Sequence, residues 1–140
     1  MITTSELVKT LYLGDRACKR VTIDGWHKRL TIEVDKISRI RNPSGQWDFY
    51  SDEDIIDGLI VFEGLSSFEF APQGFVPSDW IEFVRIDEIC EKSPVKPHFR
   101  ATLSLGAVDE QGNAKELTLT VCATSLHLED QTRPGVKITE

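Results

Sequence analysis

The stretch that decides the fold is FRATLSLGAVDEQGNAKELTLTVCATSLHL, residues 99–128. Phe99, Ala101, Leu103 and Leu105 recur at a period of two, the spacing of a strand that buries one face. Asp109-Glu110-Gln111-Gly112-Asn113 is turn chemistry, and Leu117, Leu119, Val121 and Ala123 resume the period beyond it. The two runs read as an antiparallel hairpin, with Leu126 and Leu128 extending the second strand after a kink.

The same period appears toward the N-terminus. Val21 and Ile23, then Leu30, Ile32 and Val34, flank Gly25-Trp26-His27-Lys28, a connection of hairpin length. Ile37 and Ile40 are expected to continue the second of these strands past a bulge. Gly58–Phe62 and Phe68–Phe70 are further short strands, and Trp80–Ile89 alternates with a phase slip near Phe83 and Val84 that predicts a bulge. At the start of the chain, Thr3-Thr4-Ser5-Glu6 has the form of a capping box opening a short helix that stops near Gly14. The expected fold is mostly β: an antiparallel sandwich or a partly open barrel of about 7–8 short strands with a short N-terminal helix. A length of 140 residues fits one domain, 1–140, with a loose tail from about 131.

Composition narrows the setting. Three scattered cysteines (Cys18, Cys90 and Cys122) and an N-terminus without a basic, apolar leader predict reduced thiols and a cytoplasmic address. A net charge of −7 argues against nucleic-acid and anionic-membrane partners, which select basic surfaces. The charge is uneven. Residues 1–50 hold nine Lys/Arg against six Asp/Glu, whereas residues 51–91 hold eleven Asp/Glu against Arg85 alone.

Segments that invite a chemical reading each have a plainer one. Asp52, Glu53, Asp54 and Asp57 resemble part of a calcium loop, but Ile56 and Asp57 stand where a fifth-position ligand and the turn glycine belong. A capped helical turn, with Ser51 as N-cap and Gly58 as terminator, accounts better for the segment. His27, His98 and His127 have no metal-ligand spacing, and surface or edge positions account for all three. No metal, cofactor or catalytic residue is expected, since nucleophile elbows and phosphate-binding loops are missing from the sequence.

Two aromatic–polar clusters remain: Tyr12-Leu13-Gly14-Asp15-Arg16, and Trp47-Asp48-Phe49-Tyr50 in a long connection. They read first as loop ties and plugs of an open sheet end, and second as the lining of a pocket or interface. Together with the Gly25-Trp26 hairpin and the acidic turn that follows Tyr50, these clusters resemble uncharacterised small all-β bacterial domains. Some families of that kind are immunity proteins of polymorphic toxin systems. The resemblance implies a binding role and transfers no catalytic residue.

The leading expectation is therefore a non-catalytic binding protein whose acidic segment, residues 51–91, engages a basic protein partner. The same acidity reads equally as a solvated surface, or as charge neutralised within the fold by Arg20, Arg29, Arg39 and Arg41. A barrel binding a small ligand near Trp26, Trp47 and Tyr50 is the alternative, and a hydrolase without a recognisable motif ranks below both. Interface or pocket candidates are Tyr12, Asp15, Arg16, Trp26, Trp47, Tyr50, Asp52, Glu53, Asp54 and Asp57.

Overall fold

The computed structural model describes residues 2–40, 54–88 and 98–140. Among them lie one helix, α1 (Thr4–Lys9), and nine strands. The strands are β1 (Leu11–Tyr12), β2 (Cys18–Asp24), β3 (Arg29–Arg39), β4 (Ile55–Glu63), β5 (Ser67–Ala71), β6 (Ile81–Asp87), β7 (Phe99–Val108), β8 (Ala114–Ala123) and β9 (Ser125–Glu129). The chain is mostly β and every strand pairing is antiparallel.

One sheet runs β1-β3-β4-β9, with β2 also on β3; the other runs β5-β8-β7-β6. Their inner faces enclose a single core. Leu30, Ile32, Ile60, Phe62 and Leu128 come from the first sheet, and Ala101, Leu103, Leu105, Leu117, Leu119 and Val121 from the second. The period-two run at residues 99–123 supplies most of the second set, because each alternate side chain of β7 and β8 points inward. Burial of each large aliphatic side chain contributes about 1.5–3 kcal/mol. Phe62 lies at the centre, with ring centroids 6.2 Å from Phe99 and 6.5 Å from Phe83.

The sheets are joined at a corner where two strands cross together. β4 runs into β5 through Gly64, and β8 runs into β9 through Thr124. The Thr124 backbone N–H and its hydroxyl both donate to the Glu63 carbonyl, at 3.0 and 3.1 Å. Gly64 has φ +66°, and a Cβ there would collide with the Thr124 side chain. The kink expected before Leu126 is this crossing. At the opposite edges closure is slight: an isolated bridge joins Ala17 to Trp80, and the Cys18 N–H donates to the Asp79 carbonyl at 2.8 Å. The result is a curled half-barrel, continuous at one corner and nearly open at the other.

Several local expectations meet the coordinates directly. The capping box is present, with Glu6 N donating to Thr3 Oγ1 and Thr3 N to the Glu6 carboxylate, both at 3.1 Å. The helix ends at Lys9 rather than near Gly14, because Leu11 and Tyr12 are drawn into pairing with Arg39 and Ser38 of β3. The bulge near Phe83 is found between Phe83 and Arg85. On β3 no register shift against β4 occurs. The buried face changes between Val34 and Ile37 while β4 changes between Gly58 and Ile55, so both strands switch together. Asp57, at φ 52°, stands at that switch.

Two expectations are corrected. The helical turn over 51–58 is not formed at its C-terminal part, because Ile55–Gly58 pair in β4, where Ile55 fills the core against Ile37. His127 lies on the edge strand β9, as expected, but it is not a surface residue: it is 3% exposed. The segment beyond Glu129 is largely exposed but tied down, since Ile138 and Leu128 exchange two backbone hydrogen bonds of 2.9 Å. Gln131 also donates to Glu33 and to the Asp57 carbonyl. Among the described residues, no helix is long and apolar enough to cross a membrane.

Replacing Gly64 by Ala is expected to cost about 1–3 kcal/mol, since it adds both a steric clash and a left-handed Cβ. Gly25→Ala, in open space, is expected to stay within about 0.5 kcal/mol. Urea unfolding midpoints of the two variants test the contrast.

Candidate functional site

The open edge of the half-barrel forms a cleft of about 540 Å³ between α1, β1 and β6. Its walls are apolar: Val8 from α1, Leu11 and Leu13 from β1 and its exit, and Ile81 and Phe83 from β6. These residues belong to or pack against the core, so the cleft is a place where core side chains reach solvent. Lys9, Asp15 and Glu82 stand among them as charged lining groups.

Each wall has a local cause. α1 is anchored by Leu7, 2% exposed, and by the Ser5 N–H, which donates to the Glu88 carboxylate at 3.0 Å. Trp80 forms the far end. Its indole covers Gly106, where no Cβ has room, and its Nε1 donates to Ser104 Oγ at 3.0 Å. Ser104 in turn donates to Glu116 at 3.1 Å. This is why Ser104 and Gly106 are buried although they lie on the outer side of β7. The alternation of β7 alone gives no sign of that cover.

The Tyr12–Arg16 motif divides between packing and the cleft. Tyr12 folds back over Gly14, and the Arg16 guanidinium lies 5.6 Å from the Tyr12 ring centroid while donating to Ser38 Oγ at 2.9 Å. Leu13 and Asp15, the alternate residues, line the cleft. Asp15 holds a left-handed φ of 58° and is exposed. The structure thus brings Asp15 to one opening with Glu82, a residue the sequence reading did not single out. Nothing in the strand pattern of Trp80–Ile89 marked Glu82, because its neighbours across space come from α1 and β1.

The other candidates lie elsewhere. Trp26 is at the β2–β3 hairpin tip, 89% exposed. Asp57 pairs with Lys19 at 2.7 Å and Asp54 with Lys36 at 3.8 Å, so both carboxylates have cations from the N-terminal part of the chain. Trp47, Tyr50, Asp52 and Glu53 lie outside the described residues. The charge asymmetry of the sequence is therefore partly resolved by pairing between strands. Glu63 meets Arg29 of β3 at 3.3 Å and Lys137 at 3.1 Å, while Asp87 meets Arg85 of its own strand at 3.1 Å. Among the described residues, Asp15 and Glu82 have no such cation.

The remaining reactive groups are packed. Burial raises the Cys18 thiol to about 11, so it is protonated and poorly nucleophilic at neutral pH. His127 sits on the outer face of the first sheet, in register with Val61, with Nε2 3.5 Å from Glu129. Burial lowers its pKa, against the opposing pull of Glu63 and Glu129. Burial pushes the Glu63 carboxyl upward, but Lys137, His127 and Arg29 outweigh that effect and leave it below its ordinary value. Among the described residues, no three His, Cys, Asp or Glu side chains are grouped to hold a metal ion.

These features define a β half-barrel domain with an apolar, acid-bearing opening at its edge. Over residues 1–140 the chain matches the family of unknown function DUF6258, and it belongs to that family. No curated protein and no solved structure matches it.

Two measurements follow from these environments. Cys18 is expected to resist iodoacetamide in the native protein at neutral pH and to react fully in denaturant, as read from peptide mass spectra. For His127 the folded pKa lies below the unfolded one, so the unfolded chain takes up the proton first as pH falls. Stability should be full above about pH 6.5 and decline between there and the lower folded value. His127→Gln should flatten that part of the unfolding profile. The loss linked to Glu63 begins only below about pH 4.3, where its unfolded form protonates.

Proposed function

We propose that this protein is a non-catalytic binding domain that engages a basic protein partner through the edge cleft. The observation that carries this reading is the lining of the apolar opening: Asp15 and Glu82 stand there without an ion pair among the described residues, and Lys9 is the third charged group beside them. A partner segment with an apolar side chain between Lys or Arg residues would match that opening in both shape and charge. The acidic lining also speeds encounter with a basic surface.

The resemblance of the Tyr12–Arg16, Gly25-Trp26 and Trp47–Tyr50 segments to uncharacterised small all-β bacterial domains, some families of which are immunity proteins, supports a narrower version. In it, the chain works in the bacterial cytoplasm and neutralises a toxin by occupying a basic surface. The buried, reduced Cys18 and Cys122 suit that compartment. A small apolar ligand is the second reading, favoured by the cleft volume of about 540 Å³. That volume falls in the range of roughly 300–1,000 Å³ usual for ligand pockets.

A pull-down from native cell extract, washed at low and at high salt, tests the proposal. A single basic protein should be held at low salt, weakened at high salt, and lost with Asp15→Lys combined with Glu82→Lys. Retention that ignores both salt and these reversals, or no specific partner at either salt, would overturn it and turn attention to small ligands.

A further inference from the structure

At the opposite end of the first sheet, the β2–β3 hairpin holds Trp26 almost wholly in water, 89% exposed. An indole left so exposed forgoes a large share of the hydrophobic stabilisation it could provide, and no contact within the fold requires it there. Yet the backbone beneath it is fixed. Asp24 Oδ1 accepts from the Trp26 and His27 N–H groups at 3.1 and 3.0 Å, and Asp24 Oδ2 lies 2.8 Å from His27 Nδ1. Lys28 takes a left-handed φ of 54°, and its carbonyl accepts from the Leu65 N–H at 2.9 Å, which ties the tip to the crossing corner. Arg29 and Glu63 pair behind it at 3.3 Å.

We propose that this tip is a second docking element, a preformed knob for a protein partner that offers an apolar pocket edged by carboxylates. Trp is the residue most enriched among binding hot spots, and a backbone already ordered by Asp24 spares the ordering cost of association. Ile23, 42% exposed on the adjoining strand, widens the apolar contact. The edge of the pocket is assigned from charge. Around Trp26, the Asp24 carboxylate is turned onto the Trp26 and His27 N–H groups and the His27 ring, and Glu63 onto Arg29 and Lys137, which leaves the exposed Lys28 ammonium without an ion pair among the described residues. A net charge of −7 weighs against an anionic lipid surface as the occupant. The eleven residues of β3 separate the tip from the edge cleft by roughly 30 Å, so the two elements are independently testable.

The test places a photoreactive benzoylphenylalanine at Gly25, where a side chain meets open space, in the full chain, in the cells that express it natively. The crosslinked protein is identified by mass spectrometry, purified, and titrated against the wild type, Trp26→Ala, Trp26→Phe and Glu110→Lys. The expected result is one crosslinked protein whose affinity falls at least about thirty-fold with Trp26→Ala, the loss that defines a hot spot. Trp26→Phe should recover part of it, and Glu110→Lys, an exposed turn residue in neither proposed element, should leave this contact unchanged. Unfolding midpoints should match across the Trp26 variants, since the side chain has almost no packing to lose. Four results would overturn the inference: no discrete crosslink, a crosslink to a second copy of the chain, an affinity indifferent to Trp26, or Trp26-dependent pelleting with phosphatidylglycerol-containing vesicles.

Discussion

The Glu63 carbonyl receives two hydrogen bonds from Thr124, one from the backbone and one from the hydroxyl, and the remaining architecture hangs on that crossing. Both covalent passages between the sheets described here occur at that point, β4 into β5 and β8 into β9. Fixing them side by side brings the sheets together on one flank and lets their twist carry the opposite edges apart. The bridge from Ala17 to Trp80 then closes only one end of the gap, and α1 packs beside the rest. A cleft lined with core residues is thus a consequence of how the strands turn the corner. It needs no separate cavity-forming device.

Much of the frame was legible because one-sided burial leaves a period of two. β7, β8, the β2–β3 hairpin and the Phe83 bulge all follow from it. The boundaries failed where pairing overrides local preference. Ser51–Gly58 has the residues of a capped turn, yet the core gained by seating Ile55 against Ile37 draws Ile55–Gly58 into a strand. His127 misled for a related reason. Alternation with Leu126 and Leu128 placed it correctly on the outer face of its sheet, but that face is not all solvent. Glu63, Lys137 and Glu129 gather around it there.

The candidate site was legible in part. Asp15 and Leu13 belong to a motif that the sequence exposes, with Tyr12, Gly14 and Arg16 forming its packing half. Glu82 was hidden because its significance lies in what faces it from α1 and β1, about seventy residues earlier in the chain. The acidic middle segment shows the same limit in electrostatic form. Its residues are neighbours in sequence, but antiparallel pairing deals them across two sheets and sets Asp57 against Lys19, Asp54 against Lys36 and Glu63 against Arg29. Linear charge density overstates the surface field wherever strands interleave in this way.

That pairing also bears on which charges serve a partner. Exposed ion pairs contribute little to stability, about 0–1 kcal/mol each, so the internal matches do not hold the fold together. Their larger effect is to remove carboxylates from the list of groups free to meet a basic surface. The carboxylates left without a cation among the described residues are spread over the fold and include Glu69, Asp79 and Glu110, but Asp15 and Glu82 line the apolar cleft; at the far end of the first sheet Lys28 stands beside Trp26. An apolar element flanked by charge stands at each end, with Asp15, Glu82 and Lys9 at the cleft and Lys28 and Asp24 at the tip. A single undifferentiated acidic surface would attract any basic protein. In the readings proposed above, two separated elements select a partner by composition and by spacing together, which gives a small domain a route to specificity.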